Sequence, residues 1–158
     1  MKKAVQHLSQ INIQDDYETP TPLYNWACRH FKVKPVIDVC GSKKHHKTPT
    51  YFVKDALKEQ WNKPFWCNPP YSKVNEFIKY AYEQHLKHNV NGLILVYAKV
   101  DTRWFHKYVQ GKAEIYFIKG RVKFWINGKE TKHPSPYPSM IICYRKSKPK
   151  TKRLGMID

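Results

Sequence analysis

The sequence predicts a three-layer α/β domain on a mixed sheet with an antiparallel edge. Strand and helix signals alternate through the first hundred residues, strands crowd the last third, and 158 residues make one domain. A chain of that length buries roughly 70% of its unfolded surface, enough for one core. With 41% hydrophobic and 15% aromatic residues, the composition argues against a wholly disordered chain.

Residues 1–14 are polar and aperiodic and read as a flexible N-terminal arm. A helix opens at Thr21, taken as its N-cap, with Pro22 at the first helical position. Leu23, Trp26, Ala27, His30 and Phe31 then recur at helical spacing. Residues 35–40 read as a buried strand running into Gly41-Ser42, followed by a basic loop over 43–49 and a short extended piece at 50–53. Residues 64–67 form a second strand that ends at Asn68-Pro69-Pro70-Tyr71. Val74, Phe77, Ile78, Ala81, Tyr82, His85 and Leu86 make one face of a helix, which Asn91-Gly92 ends.

Residues 93–98 are a third buried strand, and Asp101 is placed to cap a short helix carrying Trp104, Phe105 and Tyr108. Residues 113–118 and 121–126 read as strands, Asn127-Gly128 as a turn, and 140–144 as the last strand. Between them, 129–138 holds three prolines and reads as a loop. The domain thus spans 15–145, and 146–158 is a basic flexible tail.

Twenty-nine Lys and Arg against 12 Asp and Glu leave a net charge of +17. A polyanion is the usual partner of such a chain, and nucleic acid leads because each neutralised phosphate releases a counterion. Solubility alone is the plainer reading of the same charge. Cys28, Cys40, Cys67 and Cys143 stand singly, so no disulfide scaffold is expected. Cys40, His45, His46 and Cys67 match no common zinc spacing, so no metal is expected. No apolar run approaches the roughly 20 residues of a membrane span, and no apolar signal segment follows Met1-Lys2-Lys3. A soluble, cytoplasmic protein is expected.

Asn68-Pro69-Pro70-Tyr71 is the sharpest local signal. Two prolines after a strand stiffen the backbone and remove two amide donors. Carbonyls there can face a cleft at the carboxyl end of the sheet, where open α/β folds bind ligands. The Asn68 side-chain oxygen and a proline carbonyl can together accept both protons of an exocyclic amino group, aiming its nitrogen at an electrophile. Tyr71 offers a face for a planar base, worth about 1–3 kcal/mol. The same residues also suit a rigid strand-to-helix turn in which Tyr71 only packs.

Asn-Pro-Pro-Tyr is the amino-group methylation motif of S-adenosylmethionine-dependent methyltransferases, and the chain resembles the small phage-type (Dam-type) DNA N6-adenine methyltransferases. The resemblance runs in order over about residues 15–145, through Asp16 to Pro20, Ile37 to Cys40, Asp55-Ala56-Leu57 with Trp61, and Trp66 to Ser72. It continues through Asp101-Thr102 with Trp104-Phe105-His106, Gly120 to Phe124, and Pro138-Ser139-Met140. It implies a reduced Rossmann-like methyltransferase sandwich, shortened between the first strand and Asn68. It further implies transfer of a methyl group from S-adenosylmethionine to adenine N6 of double-stranded DNA, with the base flipped out. The reacting corner would be Asn68, Pro69, Pro70 and Tyr71, with N6 held by Asn68 and the Pro69 carbonyl.

The implied cofactor residues are Thr19, Pro20, Asp38, Cys40, Gly41, Asp55 and Asn68. Asp38 would hold the cofactor ammonium, or else only cap its loop. Gly41 would let the backbone approach the cofactor, and Asp55 would meet its adenine amino group, or else sit as a helix N-terminal carboxylate. Glu18, Thr19 and Pro20 would form a pocket wall or a helix-leading turn. The loop lacks the second glycine of the fuller Asp-Pro-Phe-Cys-Gly-Ser-Gly pattern, which leaves it fewer cofactor contacts or shares them with Thr19 and Pro20. Lys43, Lys44, Lys99, Arg103, Arg121 and Lys123 are the candidates for DNA phosphates, each equally readable as a solvated charge. Trp26, Trp61, Trp104 and Trp125 read as core residues before base stackers. The alternatives are an RNA or protein-glutamine methyltransferase using the same motif, or an inactive DNA-binding relic. A homodimer or a specificity partner is compatible, since only short loops such as 43–50 and 128–138 are left to read sequence.

Overall fold

The computed structural model of the protein describes residues 17–146 and the backbone of Arg153–Leu154. The expected arm and most of the expected tail lie outside the described residues. Helix α1 is Thr21–Phe31, and strands β1 (Ile37–Asp38), β2 (Thr50–Tyr51) and β3 (Phe65–Cys67) follow. Helix α2 (Val74–His88) leads to β4 (Gly92–Tyr97), a wide helical turn over Phe105–Val109, and β5 (Glu114–Phe117). The hairpin β6 (Trp125–Ile126) and β7 (Lys129–Glu130), then β8 (Ser139–Tyr144) and β9 (Arg153–Leu154), complete the order.

Seven strands form one sheet in the order β2-β1-β3-β4-β8-β5-β9. β2, β1, β3 and β4 are parallel. The antiparallel pairing falls at the expected end of the sheet but on an interior strand, because β8 is antiparallel to both β4 and β5. Arg153–Leu154 runs parallel beside Ile115 and Tyr116, so the chain is an edge strand there instead of a solvated tail.

Every residue of β4 and β8 is buried, as a strand covered on both faces requires. Alternate side chains feed two cores. Ile94, Val96, Met140, Ile142 and Tyr144 pack with Phe77, Ile78 and Ala81 of α2 and with Phe105 and Val109. Leu93, Leu95, Tyr97, Ile141 and Cys143 pack on the other face with Ala27 and Phe31 of α1, Val122 and Phe124. These are the three expected layers. Gly92 has a steric reason: a Cβ there would lie 2.2 Å from the ring of Phe65, its partner on β3. Buried Trp61 fastens the 56–61 segment to α2, donating its backbone N–H to Gln84 Oε1 and its indole N–H to the Ala56 carbonyl, both at 2.9 Å.

Several local expectations need correcting. Pro20 holds the cap position of α1, while the Thr21 hydroxyl accepts from Lys47 Nζ at 3.3 Å. Asn89, in the left-handed region at φ 50°, ends α2, and Gly92 already belongs to β4. Thr102, not Asp101, caps the helical turn, its hydroxyl accepting the Phe105 N–H at 3.4 Å. Only Trp125–Ile126 of the expected 121–126 strand forms a ladder, because Val122 and Phe124 give their carbonyls to Ser135 and Thr131 of the proline-rich stretch. Asn127 and Gly128 do make the turn, both at positive φ, and they pair β6 with β7 inside what reads as a loop. Among the described residues no helix is long and apolar enough to cross a membrane.

Candidate active site

β1 and β3 run parallel with Asp38 opposite Trp66, so their carboxyl ends deliver Asp38 and Asn68 to one edge of the sheet. The strand order reverses here, with β2 on one side of β1 and β3 on the other. Open α/β sheets bind ligands at such a reversal. A cavity of about 660 Å³ opens at this place, a volume typical of small-molecule sites. Its walls are residues 17–19, the loop from Asp38 to Lys47, residues 53–56, Asn68 and Pro70, with Phe77 of α2 and Ile126-Asn127 of the hairpin.

Thr19, Asp38, Cys40, Gly41, Asp55 and Asn68 all line the cavity, as do Lys43 and Lys44. Pro20 does not; its carbonyl accepts the Tyr24 N–H at 3.1 Å in the first turn of α1. Pro70 lines the cavity, whereas Pro69 and Tyr71 do not.

Asp38 is only 4% exposed. Its Oδ2 accepts the Lys47 N–H at 2.8 Å and its Oδ1 the Cys40 N–H at 3.2 Å. One carboxylate thus fastens the chain at Cys40 and again at Lys47 while still bordering the cavity. Burial pushes the Asp38 carboxyl above the usual carboxylate range, against those two N–H donors and the nearby Lys47 and His46 charges. Burial likewise pushes the Lys47 ammonium down, against Asp38 and Glu18. The basic loop therefore brings a partly desolvated cation beside a desolvated anion.

Gly41, on the cavity wall, also has a packing reason. A Cβ on it would meet Tyr51 Cβ at 2.8 Å and His46 Cβ at 3.1 Å, so the glycine lets the loop lie against β2. Asp55 is exposed, sits at φ 56°, and opens the turn over 56–58 by accepting the Lys58 N–H at 2.8 Å. The Cys40 and Cys67 sulfurs are 3.8 Å apart, with Cys67 fully buried and its thiol pushed well up by burial.

Asn68 Nδ2 donates to the Tyr17 carbonyl at 2.9 Å. A carbonyl only accepts, so this bond assigns the amide orientation and leaves Oδ1 on the opposite side without a donor among the described residues. The Pro70 carbonyl accepts the Lys73 N–H at 3.0 Å, so the turn into α2 uses that carbonyl and not that of Pro69. Tyr71 stacks on Tyr97 at 4.2 Å and 4°, and Tyr17 and Phe124 meet it edge-on at 6.0 and 6.3 Å. One face of the expected stacking platform is therefore taken by Tyr97.

Several pairings at the site escape a reading of the sequence. Glu18 Oε2 accepts His45 Nδ1 at 2.9 Å, and Glu18 is also bonded to the Gly128 N–H at 3.3 Å and bridged to Trp125. It joins the basic loop to the β6–β7 hairpin. Thr19 Oγ1 and His45 Nε2 are buried without a hydrogen-bond partner among the described residues, and both residues line the cavity. Such a group costs about 1–3 kcal/mol until something supplies a partner. Nothing local in the sequence marks these pairings, because each joins segments far apart in the chain.

The remaining basic candidates lie outside the cavity and are exposed. Lys123 is paired with Glu130 at 3.4 Å, Arg121 donates to the Pro136 carbonyl, and Lys99 Nζ lies 4.5 Å from the Tyr137 ring centroid. Arg103 is exposed at the start of the wide helical turn.

The family model described as DNA N-6-adenine-methyltransferase (Dam) matches residues 7–157. The chain is 28% identical over 142 residues to the DNA N-6-adenine-methyltransferase of Haemophilus phage HP1 (strain HP1c1), covering 86% of this chain and 82% of that protein. It is 34% identical over 98 residues to the DNA N-6-adenine-methyltransferase of Escherichia phage T1, covering 60% of this chain and 41% of that protein. No solved structure matches the chain.

Proposed function

The chain belongs to the DNA N-6-adenine-methyltransferase family, and from that premise we propose that it methylates adenine N6 in double-stranded DNA, using S-adenosylmethionine and an extruded base. The cavity suits that cofactor by its chemistry. Asp38 and Glu18 offer anionic partners for an ammonium and a sulfonium, and Lys43, Lys44 and Lys47 offer cationic partners for a carboxylate. Asp55 suits an amino group or hydroxyls, Val39, Ala56 and Phe77 give apolar wall, and the unpartnered Thr19 hydroxyl gains a bond. The cofactor, when bound, supplies the electrophilic methyl.

Adenine N6 is buried in the duplex stack, so the target base must leave it. Asn68 Oδ1 then accepts an N6 proton, while the Nδ2 bond to Tyr17 keeps the amide from rotating. A carbonyl of the Pro69-Pro70 corner takes the second proton. Both acceptors strengthen as charge builds on N6, and they cost no reorganisation because the prolines and Tyr17 hold them in advance. No general base is required, since the amino proton becomes acidic once N6 carries the methyl and positive charge. Between Asp38 and Asn68 the chain forms only β2, one short helical turn over Ala56–Lys58 and β3, with no α-helix. That economy supports the reading of a shortened methyltransferase sheet.

The single observation that carries the proposal is Asn68, on the cavity edge with its oxygen left to accept. Asn68→Ala is expected to cut tritium transfer from labelled S-adenosylmethionine to DNA by at least about 100-fold. The circular dichroism spectrum should be retained. Transfer within tenfold of wild type would reject the role of Asn68.

A further inference from the structure

We propose that Tyr137, with Lys99 and Arg121, is a DNA-contact station outside the cavity, where the ring takes a nucleobase that has left the duplex stack and the two cations take the phosphates beside it. The inference rests on the DNA-methyltransferase reading and adds to it the place where the duplex is engaged.

Tyr137 is 41% exposed, in a chain whose other large aromatic rings are mostly packed. Its ring touches Tyr97 at 5.2 Å, and Tyr97 in turn stacks on Tyr71 at 4.2 Å. A contiguous line of three rings therefore runs from the reacting corner to the surface.

The ring is held in place. Pro136 and Pro138 flank it and restrict the backbone. Ser135 donates its N–H to the Val122 carbonyl and its hydroxyl to the Tyr137 carbonyl, each at 2.8 Å. Arg121 donates to the Pro136 carbonyl, and the Pro138 carbonyl accepts the Ala98 N–H at 2.8 Å. An exposed aromatic on a braced segment loses little freedom on binding, which is the economical way to build a contact.

The charge around the ring suits a polyanion. Among the described residues, neither Lys99 nor Arg121 belongs to an ion pair, in contrast to Lys123 with Glu130. Lys99 Nζ rests 4.5 Å from the centre of the Tyr137 ring. An ammonium held on a ring face instead of on a carboxylate is available to a phosphate. A phosphate that draws Lys99 off the ring bares that face for a base, so the two contacts assist each other. Base stacking on aromatic rings tolerates any sequence, and such a station strengthens engagement without specifying a site.

The test uses the full chain and a fluorescein-labelled 40-base-pair mixed-sequence duplex, read by anisotropy, with S-adenosylmethionine affinity measured by calorimetry. Tyr137→Ala is expected to weaken duplex binding about tenfold, Tyr137→Phe to restore it, and neither to shift cofactor affinity. Lys99→Gln is expected to lower the slope of log K against log salt by about one. Duplex binding by Tyr137→Ala within twofold of wild type, or an unchanged salt slope for Lys99→Gln, would overturn the station while leaving the methyltransferase reading intact. If wild type binds neither duplex nor cofactor, the functional reading itself fails.

Discussion

Glu18 is the side chain whose loss should disturb the cavity most without touching the reacting corner. Its carboxylate receives His45 Nδ1 at 2.9 Å and the more distant Gly128 N–H at 3.3 Å, and the two partners' side chains in the ion pair are 29% (His45) and 13% (Glu18) exposed. Nδ1 is a donor here whether the imidazole is neutral or charged, so the bond survives either state. A hydrogen bond to a charged group is worth about 1.5–3 kcal/mol, and a fully exposed pair about 0–1. The half-buried setting places this one near 1.5 kcal/mol. In a domain of this size each kcal/mol moves the melting temperature by about 2–4 °C, so Glu18→Ala should melt about 3–6 °C lower. The basic loop and the hairpin lose their tie, and S-adenosylmethionine should bind about tenfold more weakly, a change of about 1.4 kcal/mol. Glu18→Gln keeps an oxygen for His45 and should recover most of the melting temperature. Thermal melts and calorimetry on the three proteins decide the matter: an Ala variant that melts and binds like wild type refutes the idea that Glu18 holds the two walls together.

Two further outcomes follow from the same cavity. Cys40 lines it and is partly exposed, while Cys67 and Cys143 are buried, the latter with its thiol pushed up to about 12 by burial. Iodoacetamide should therefore label Cys40 well ahead of Cys67 and Cys143, and saturating S-adenosylmethionine should slow Cys40 at least about fivefold by mass spectrometry; equal rates would place the cofactor elsewhere. Asp38, raised by burial above its unfolded value of about 3.9, contributes most to stability at low pH and loses that contribution as pH rises through its folded pKa. Urea unfolding of wild type and Asp38→Asn from about pH 3.5 upward should show wild type losing ground to the variant as pH rises; a flat or opposite trend would contradict the desolvated carboxyl.

Much of this architecture was legible in the order of residues. The helical period of Leu23, Ala27 and Phe31, and of Phe77, Ile78 and Ala81, marked α1 and α2, and unbroken apolar runs marked β4 and β8. Local chemistry misled where a distant partner competed for the same group. Thr21 had the right hydroxyl for a cap, but Lys47 takes it. Asn91 looked like a helix end, yet it serves the strands, its carbonyl accepting from Phe65 and its side chain from Lys146. The alternation at Val122 and Phe124 was real burial without a strand, since a loop and not a ladder collects their carbonyls. At the site, Thr19, Asp38, Cys40, Asp55 and Asn68, which the family resemblance groups together, line one cavity. The Tyr17–Asn68, Glu18–His45 and Asp38–Lys47 bonds could not be read, because they depend on where the backbone turns in three dimensions. Tyr71 shows the same limit, as its Tyr97 neighbour lies on β4, far along the chain.

The interior position of β8 governs the order in which the molecule can be assembled. Residues 114–117 reach the sheet only through residues 139–144, which are inserted between them and β4. A nascent chain that has emerged as far as the β6–β7 hairpin has a four-stranded parallel layer and a fifth strand with nothing to pair to. Domains form as units while synthesis proceeds at about 5–20 residues per second. The cooperative step must therefore wait until Tyr144 is free, and a ribosome-bound intermediate presents two open edges, on β4 and β5, that the same late strand closes at once.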